Sequence, residues 1–211
     1  MALILSVLFA DSTGPYRLPF ADLWDESRDA RLYTGSLPVV AHPPCARWGR
    51  LAEQVARRPG QPQPGEDGGC FASAIGNVRR CGGVLEHPEG SAAWAVFGLV
   101  RPGARDGQWT QHPDRPGEWC AYIEQSAYGH VALKPSWIYF VGARAPAPLQ
   151  RGGAPSRFVE SLSSSDPRRW HTPMALALLL CSIALAAGVP EAGPVLTPYR
   201  RRNQAKGALF P

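Results

Sequence analysis

Cys45 closes the heptapeptide Val39-Val40-Ala41-His42-Pro43-Pro44-Cys45, directly after an apolar run. A thiol at a strand end, on a loop stiffened by two prolines, is well positioned to act as a nucleophile, because little further ordering is needed to present the sulfur. A helix read over Trp48–Arg58 is expected to aim its N-terminus at Cys45 and lower the thiol pKa. The bland alternative is a partly buried structural thiol. In Val84-Leu85-Glu86-His87-Pro88, Glu86 ends a second apolar strand, where a carboxyl is either hydrogen-bonded locally or used as an acid. His42, Cys45 and His87 have ligand types that suit a metal, but no fourth ligand accompanies them, so no metal site is expected. A zinc deaminase lacks its second cysteine here, and neither a Walker A loop nor a G-x-S-x-G elbow occurs.

The elements that must position these residues follow from hydrophobic pattern and punctuation. Leu3–Phe9 reads as a central strand ending at Asp11-Ser12-Thr13-Gly14-Pro15, and Leu37–Ala41 as a second strand stopped by Pro43-Pro44. Asp67 can cap a helix over Gly68–Arg80 with Phe71, Ile75 and Val78 on one face, followed by a strand over Gly83–Glu86. Ser91 caps a short helix over Ala92–Phe97, and residues 101–118 read as a surface loop. Trp119–Glu124 and Ser136–Gly142 read as two strands around the loop Gln125–Pro135. Thr172-Pro173 opens a last helix. This alternation predicts a three-layer α/β fold in one domain over residues 1–189, followed by a polar basic tail, 190–211. Asp11, His42, Cys45, Glu86 and Gln125 all fall at or just after strand ends, so they converge on the rim where such sheets bind ligands.

Composition narrows the class. Gly and Pro number 22 each in 211 residues, short of the share that marks disorder, and the apolar share is 45%. The net charge of +5 permits a phosphate-bearing partner without requiring one, and twenty of the 22 basic residues are arginines. Five scattered cysteines with no C-x-x-C pair do not form a secreted disulfide framework, so a reducing cytoplasm is expected. Met1–Ala10 lacks a basic flank and reads as a strand rather than a signal peptide. Met174–Val189 is shorter than a membrane span and reads as a core helix, so no membrane association is expected. Trp94, Trp109, Trp119 and Trp137 are aromatic enough to stack bases but are expected to pack, and Arg200–Arg202 with Lys206 read as a solvated tail.

Together, the Pro-Pro-Cys and Glu-x-Pro motifs, 41 residues apart, resemble the nucleophile loop and the Glu-Asn-Val motif of the cytosine-5 DNA methyltransferases. The chain is also similar to small phage and prophage proteins that carry His-Pro-Pro-Cys, Glu-Asn-Pro and a Gln-x-x-x-Gly-His-x-x-x-Lys-x-Thr-x-Leu segment. Here that segment is Gln125-Ser126-Ala127-Tyr128-Gly129-His130 leading to Lys134-Pro135-Ser136-Trp137-Ile138. The resemblance spans roughly residues 37–142. It implies a reduced, Rossmann-like methyltransferase-type sheet with a final antiparallel strand pair. It implies that Cys45 attacks C6 of a pyrimidine, making C5 an enamine carbon, while Glu86 assists at N3 and the exocyclic amine. Gln125, His130 and Lys134 would take the place of the family's Gln-x-Arg-x-Arg motif, with His42 beside the nucleophile.

The implied cofactor is S-adenosylmethionine, and the implied partner is DNA or a pyrimidine nucleotide. Asp11, Gly14 and Asp22 or Asp25 stand where the cofactor loop and ribose-binding acid would be. That loop carries a single glycine, and only about 30 residues separate the first strand from Val39. Two other readings therefore stay open: a catalytically silent nucleic-acid-binding member of the fold, and a pyrimidine-modifying enzyme with another electrophile. Only residues 101–118 and 143–171 are available to meet a duplex, with Arg101, Arg105, Arg115, Arg144, Arg151 and Arg157 to hold phosphate. No recognition of a duplex sequence is expected from them.

Overall fold

The computed structural model describes residues 2–150, 152, 157–163 and 165–188. The tail 190–211, with Arg200–Arg202 and Lys206, lies outside the described residues, as does Arg151.

Seven strands form one mixed sheet: β1 (Leu5–Leu8), β2 (Ala21–Trp24), β3 (Val39–Ala41), β4 (Gly83–Pro88), β5 (Thr110–Gln111), β6 (Glu118–Glu124) and β7 (Pro135–Val141). Their order is β2-β1-β3-β4-β7-β6-β5. The first four positions are joined by parallel pairings, and β7 then enters antiparallel between β4 and β6. The chain is thus an α/β protein built on a single sheet. From β1 it crosses to β2 on one side and later to β3 on the other. A crevice therefore opens at the carboxyl ends of β1 and β3, the usual ligand position in such sheets.

Strand alternation divides the core into two layers. Leu5, Val7, Val40, Val84, Ile123, Ile138 and Phe140 point to one face, where helix α4 (Met174–Ala186) covers them with Leu176, Leu180 and Ile183. Leu8, Val39, Ala41, Leu85, Tyr139 and Val141 point to the other, against Phe71, Ile75 and Val78 of α2 (Cys70–Cys81). Burying side chains of this size contributes about 1.5–3 kcal/mol each. The stretch Pro167–Ala186 has the length and hydropathy of a membrane span, but in this fold the inner stripe of α4 lies on the sheet.

Gly83 shows how tightly β3 and β4 approach. It sits at φ +127°, and a Cβ there would come within 2.0 Å of the Val39 carbonyl oxygen, so no other residue fits.

Some expected elements are displaced. The first strand covers only Leu5–Leu8; Leu3 and Ile4 are exposed. The space before Val39 holds one further strand, β2, parallel to β1. The helix read over Trp48–Arg58 shrinks to α1 (Ala52–Ala56). Trp48 is drawn into the core instead, its indole N–H donating to Asp67 at 2.8 Å, and the chain turns there rather than coiling. The same Asp67 accepts from the Gly69 and Phe71 amides at the start of α2, as its capping role requires. Ser91 caps α3 (Ala93–Val96). Residues 101–118 are not all loop, because Thr110–Gln111 add an edge strand to β6. Trp94 is fully buried between Phe71 and Trp137, so its role is packing.

Candidate functional site

The polar centre of the molecule continues the apolar alternation of four strands. Two residues beyond Val40 comes His42; two beyond Val84, Glu86; two beyond Ile123, Gln125; two before Ile138, Ser136. Period-two geometry therefore sends all four side chains to the α4 face, at the sheet's carboxyl edge. They meet around Glu86. Ser136 Oγ donates to Glu86 Oε1 at 2.6 Å, and Gln125 Nε2 donates to the same oxygen at 3.0 Å. His42 Nδ1 lies 3.1 Å from Oε2, and Tyr16 Oη lies 2.6 Å from His42 Nε2. With Nδ1–H on the carboxylate, Nε2 accepts from the tyrosine when the imidazole is neutral and donates to it when protonated. His87, one residue out of phase, faces the opposite layer, between Phe71 and Trp94. Burial holds it neutral, its pKa lowered to about 4. It is therefore not positioned to join His42 and Cys45 around one ion.

Burial alone would raise the Glu86 pKa. The hydrogen bond from His42, the charges of Lys134 and His42 and the Ser136 hydroxyl outweigh it, and the carboxyl falls from 4.5 to about 2. Glu86 is an ionised acceptor at neutral pH. Two protein donors occupy Oε1 and one occupies Oε2, which leaves Oε2 a lone pair for a donor in the adjoining concavity.

That concavity has a volume of about 1190 Å³. Asp11, Gly14, His42, Cys45, Glu86 and Lys134 are among the residues that line it. Cys45 is exposed at its wall. The helix N-terminus expected beside it is missing: the Trp48 and Gly49 amides fold back onto the Cys45 carbonyl, and α1 starts only at Ala52. The thiol pKa is raised, not lowered as expected. Although the residue is exposed at the protein surface, desolvation inside the concavity pushes the thiol up, and Glu86 adds to this; Lys134 and Arg169 pull it partly back. Burial lowers the Lys134 pKa, while Glu86 and Cys45 favour its charged form. Its Nζ donates to the His171 carbonyl at 3.2 Å.

Limiting iodoacetamide is expected to label Cys45 before the other four thiols, because Cys81, Cys120 and Cys181 are buried and Cys70 is half-buried. The rate should climb steadily with alkaline pH, and Lys134→Met should slow it at any given pH by removing the charge that favours the thiolate. Mass-spectrometric mapping checks this; first labelling at Cys70 or Cys120 would contradict it.

Other expected residues separate. Gln125 is fully buried and orients Glu86 rather than lining the concavity. His130 lies apart from it: the Ala132 amide donates to Nδ1 at 3.1 Å, and Nε2 lies 2.8 Å from the Arg168 carbonyl, pinning two loops together. It is a brace, and burial lowers its pKa. Asp22 is held by the Trp24 indole at 2.7 Å and by Arg28 at 2.6 Å. Asp25 lies in a second concavity of about 920 Å³, lined also by Phe9, Ala10, Asp11 and Pro44, which it shares with the first. Phe9, which joins the two, adopts φ +60°, strained for a bulky residue, at the end of β1.

Tyr16 and Ser136 escape sequence reading. Ser136 is signalled only by its place in the β7 alternation, and Tyr16, in a Gly-Pro-Tyr loop, carries no local signal. The wall formed by Phe158, Arg169, Trp170 and His171 escapes it as well. No family model, no curated protein and no solved structure matches this chain.

Proposed function

We propose that this chain modifies a pyrimidine base in the manner of the cytosine-5 methyltransferases, with Cys45 as nucleophile and Glu86 as the base-holding carboxylate. The observation that carries the reading is that Cys45, Lys134 and Glu86 line one concavity, with the carboxylate fixed by His42, Ser136 and Gln125. A reduced methyltransferase-type sheet is supported by the order β2-β1-β3-β4-β7-β6-β5 and its late antiparallel insertion.

Cys45 Sγ forms a bond to C6 of the base; the C5–C6 π pair shifts toward C5, which becomes nucleophilic. Lys134 lowers the cost of the thiolate. Glu86 Oε2 accepts from the exocyclic amine and so orients the base as an ionised acceptor, not as the proton donor its strand-end position suggests; the electron pair pushed onto N3 is taken up by a proton from water. Once C5 has bonded the electrophile, water takes the C5 proton and the C5–H pair reforms the C5–C6 double bond as the thiolate leaves C6, which regenerates Cys45.

The second concavity fits a nucleoside-bearing donor. Asp25 accepts from Ser27 and Arg28 through Oδ1, so Oδ2 is available to a ribose hydroxyl, and Asp11 stands where the two concavities join. S-adenosylmethionine bound there supplies an electrophilic methyl group. Asp11 and Asp25 would hold it, and Phe9 would separate it from the base.

The test is a covalent trap. Once C5 of a 5-fluorocytosine oligonucleotide has bonded the electrophile there is no C5 proton to lose, so the adduct should accumulate and add the oligonucleotide's mass to the protein in a Cys45-dependent way. No adduct, with or without S-adenosylmethionine, overturns the proposal.

A further inference from the structure

Phe158 and Trp170 are the only aromatic side chains among the described residues left largely exposed, at 61% and 57%, and both line the Cys45 concavity. Neither sits on a free loop end. The backbone on both sides of Phe158 is tied to Leu133: the Leu133 amide donates to the Arg157 carbonyl and the Val159 amide to the Leu133 carbonyl, each at 2.9 Å. Trp170 stands between the Arg168 carbonyl, held by His130, and the His171 carbonyl, held by Lys134. The two rings are thus presented to solvent by a braced wall, which removes much of the ordering cost of stacking something on them.

Exposed cations that can follow a phosphate backbone stand in the same concavity, whose lining balances Arg50, Arg105, Lys134 and Arg169 against Asp11, Glu86, Glu89 and Glu160. Arg50 and Arg105 are both largely exposed and share the single carboxylate of Glu89, leaving one positive charge in excess. Arg169 donates to the carbonyls of Leu162 and Glu160, so its hydrogen bonds neutralise none of its charge. The concavity also exceeds the roughly 300–1,000 Å³ of an ordinary small-molecule pocket. Room, two π-faces and exposed guanidiniums are the ingredients of single-strand binding, in which successive bases stack on aromatic side chains while the backbone follows positive charge. A duplex keeps its base faces stacked on one another and offers none to Phe158 or Trp170.

Resting on the pyrimidine-modifying reading above, we infer that the substrate is a single-stranded polynucleotide whose bases flanking the target stack on Phe158 and Trp170. The wall, not a groove-reading element, then selects the substrate.

Fluorescence anisotropy of the full chain at fixed salt tests this, using one labelled pyrimidine-rich 12-mer as single-stranded DNA, as single-stranded RNA and as a DNA duplex. The single strand is expected to bind at least about tenfold tighter than the duplex. Trp170→Ala and Phe158→Ala should each weaken single-strand binding about tenfold or more, on the scale of base–aromatic stacking, and Trp170→Phe should recover most of the loss. Thermal unfolding of each variant confirms that the fold is retained. Whichever of DNA and RNA binds tighter through the rings identifies the strand type. Equal or tighter duplex binding, or single-strand binding indifferent to both alanine variants, overturns the inference. If the variants are indifferent while Cys45 still traps 5-fluorocytosine, the wall falls and the base chemistry stands. If the rings carry binding but no adduct forms, the wall stands and the base chemistry falls.

Discussion

Glu86→Gln is expected to cost both stability and activity, and the two losses should differ in their pH dependence. The wild-type carboxyl titrates near 2 in the folded protein, against an ordinary value of 4.5. A depressed carboxyl stabilises the fold fully above its unfolded pKa and loses that contribution as pH falls through the folded one. The relevant window is therefore from about pH 5 down to about 2, and the shift corresponds to about 3 kcal/mol. Urea unfolding of the wild type should show stability dropping across that window.

The glutamine variant should be less stable by about 2–4 kcal/mol at pH 7, since its amide turns a donor toward His42, Ser136 or Gln125 in a buried setting. Its acid slope should be shallower than that of the wild type. Adduct formation should fall about 10²–10³-fold, the scale of one preorganised polar partner, because an amide that can turn a donor toward the exocyclic amine no longer orients the base. Equal stability at pH 7 together with an unchanged acid slope would show that the network holds no charge. A milder variant, Ser136→Ala, removes one donor and should shift the acid limb upward by a fraction of that amount while leaving the carboxylate in place.

The parts of this arrangement legible in the sequence are those governed by short-range pattern. Val39–Ala41 and Gly83–Glu86 are continuous apolar runs, and their strand ends fix where His42 and Glu86 emerge. The β6–β7 pair and the Pro-opened last helix are visible for the same reason. What sequence reading misses depends on tertiary competition. The segment after Cys45 has helical composition, but burying Trp48 against Phe71 and bonding it to Asp67 outweighs helix propensity over Trp48–Leu51. That single preference removes the helix dipole from Cys45, where desolvation and then Glu86 raise the thiol pKa. β2 is obscured because Ala21-Asp22-Leu23-Trp24 is short and only half-buried. His130 lies in the expected motif, yet the chain leaves β6 through a 3₁₀ turn over Gln125–Tyr128, and His130 emerges beside the Arg168 carbonyl instead of the concavity. Tyr16, 26 residues from His42, could be found only once β1 and β3 were known to be neighbours.

Cys45→Ala should show the opposite balance: complete loss of the covalent adduct with almost no change in stability. The residue is exposed, and its side chain fills no core position, so the substitution should stay within about 0.5 kcal/mol in urea unfolding. Turnover should fall by about 10⁴-fold or more, since Cys45 is the one thiol among the described residues that line the concavity and a hydroxyl cannot replace it as nucleophile. Cys45→Ser is the stricter variant. It keeps the shape and a polar atom, but its hydroxyl ionises far less readily than a thiol, which is already raised here by desolvation. It should therefore be as inactive as the alanine variant at pH 7 and show no recovery up to pH 9. Wild-type trapping, in contrast, should accelerate over the same interval as the thiolate fraction grows, until Lys134 begins to lose the charge that stabilises it. Intact-mass measurement across that pH series decides the matter. An adduct that survives in Cys45→Ala would assign the nucleophile elsewhere, and a wild-type rate flat between pH 7 and 9 would mean that ionisation of this thiol does not limit the reaction.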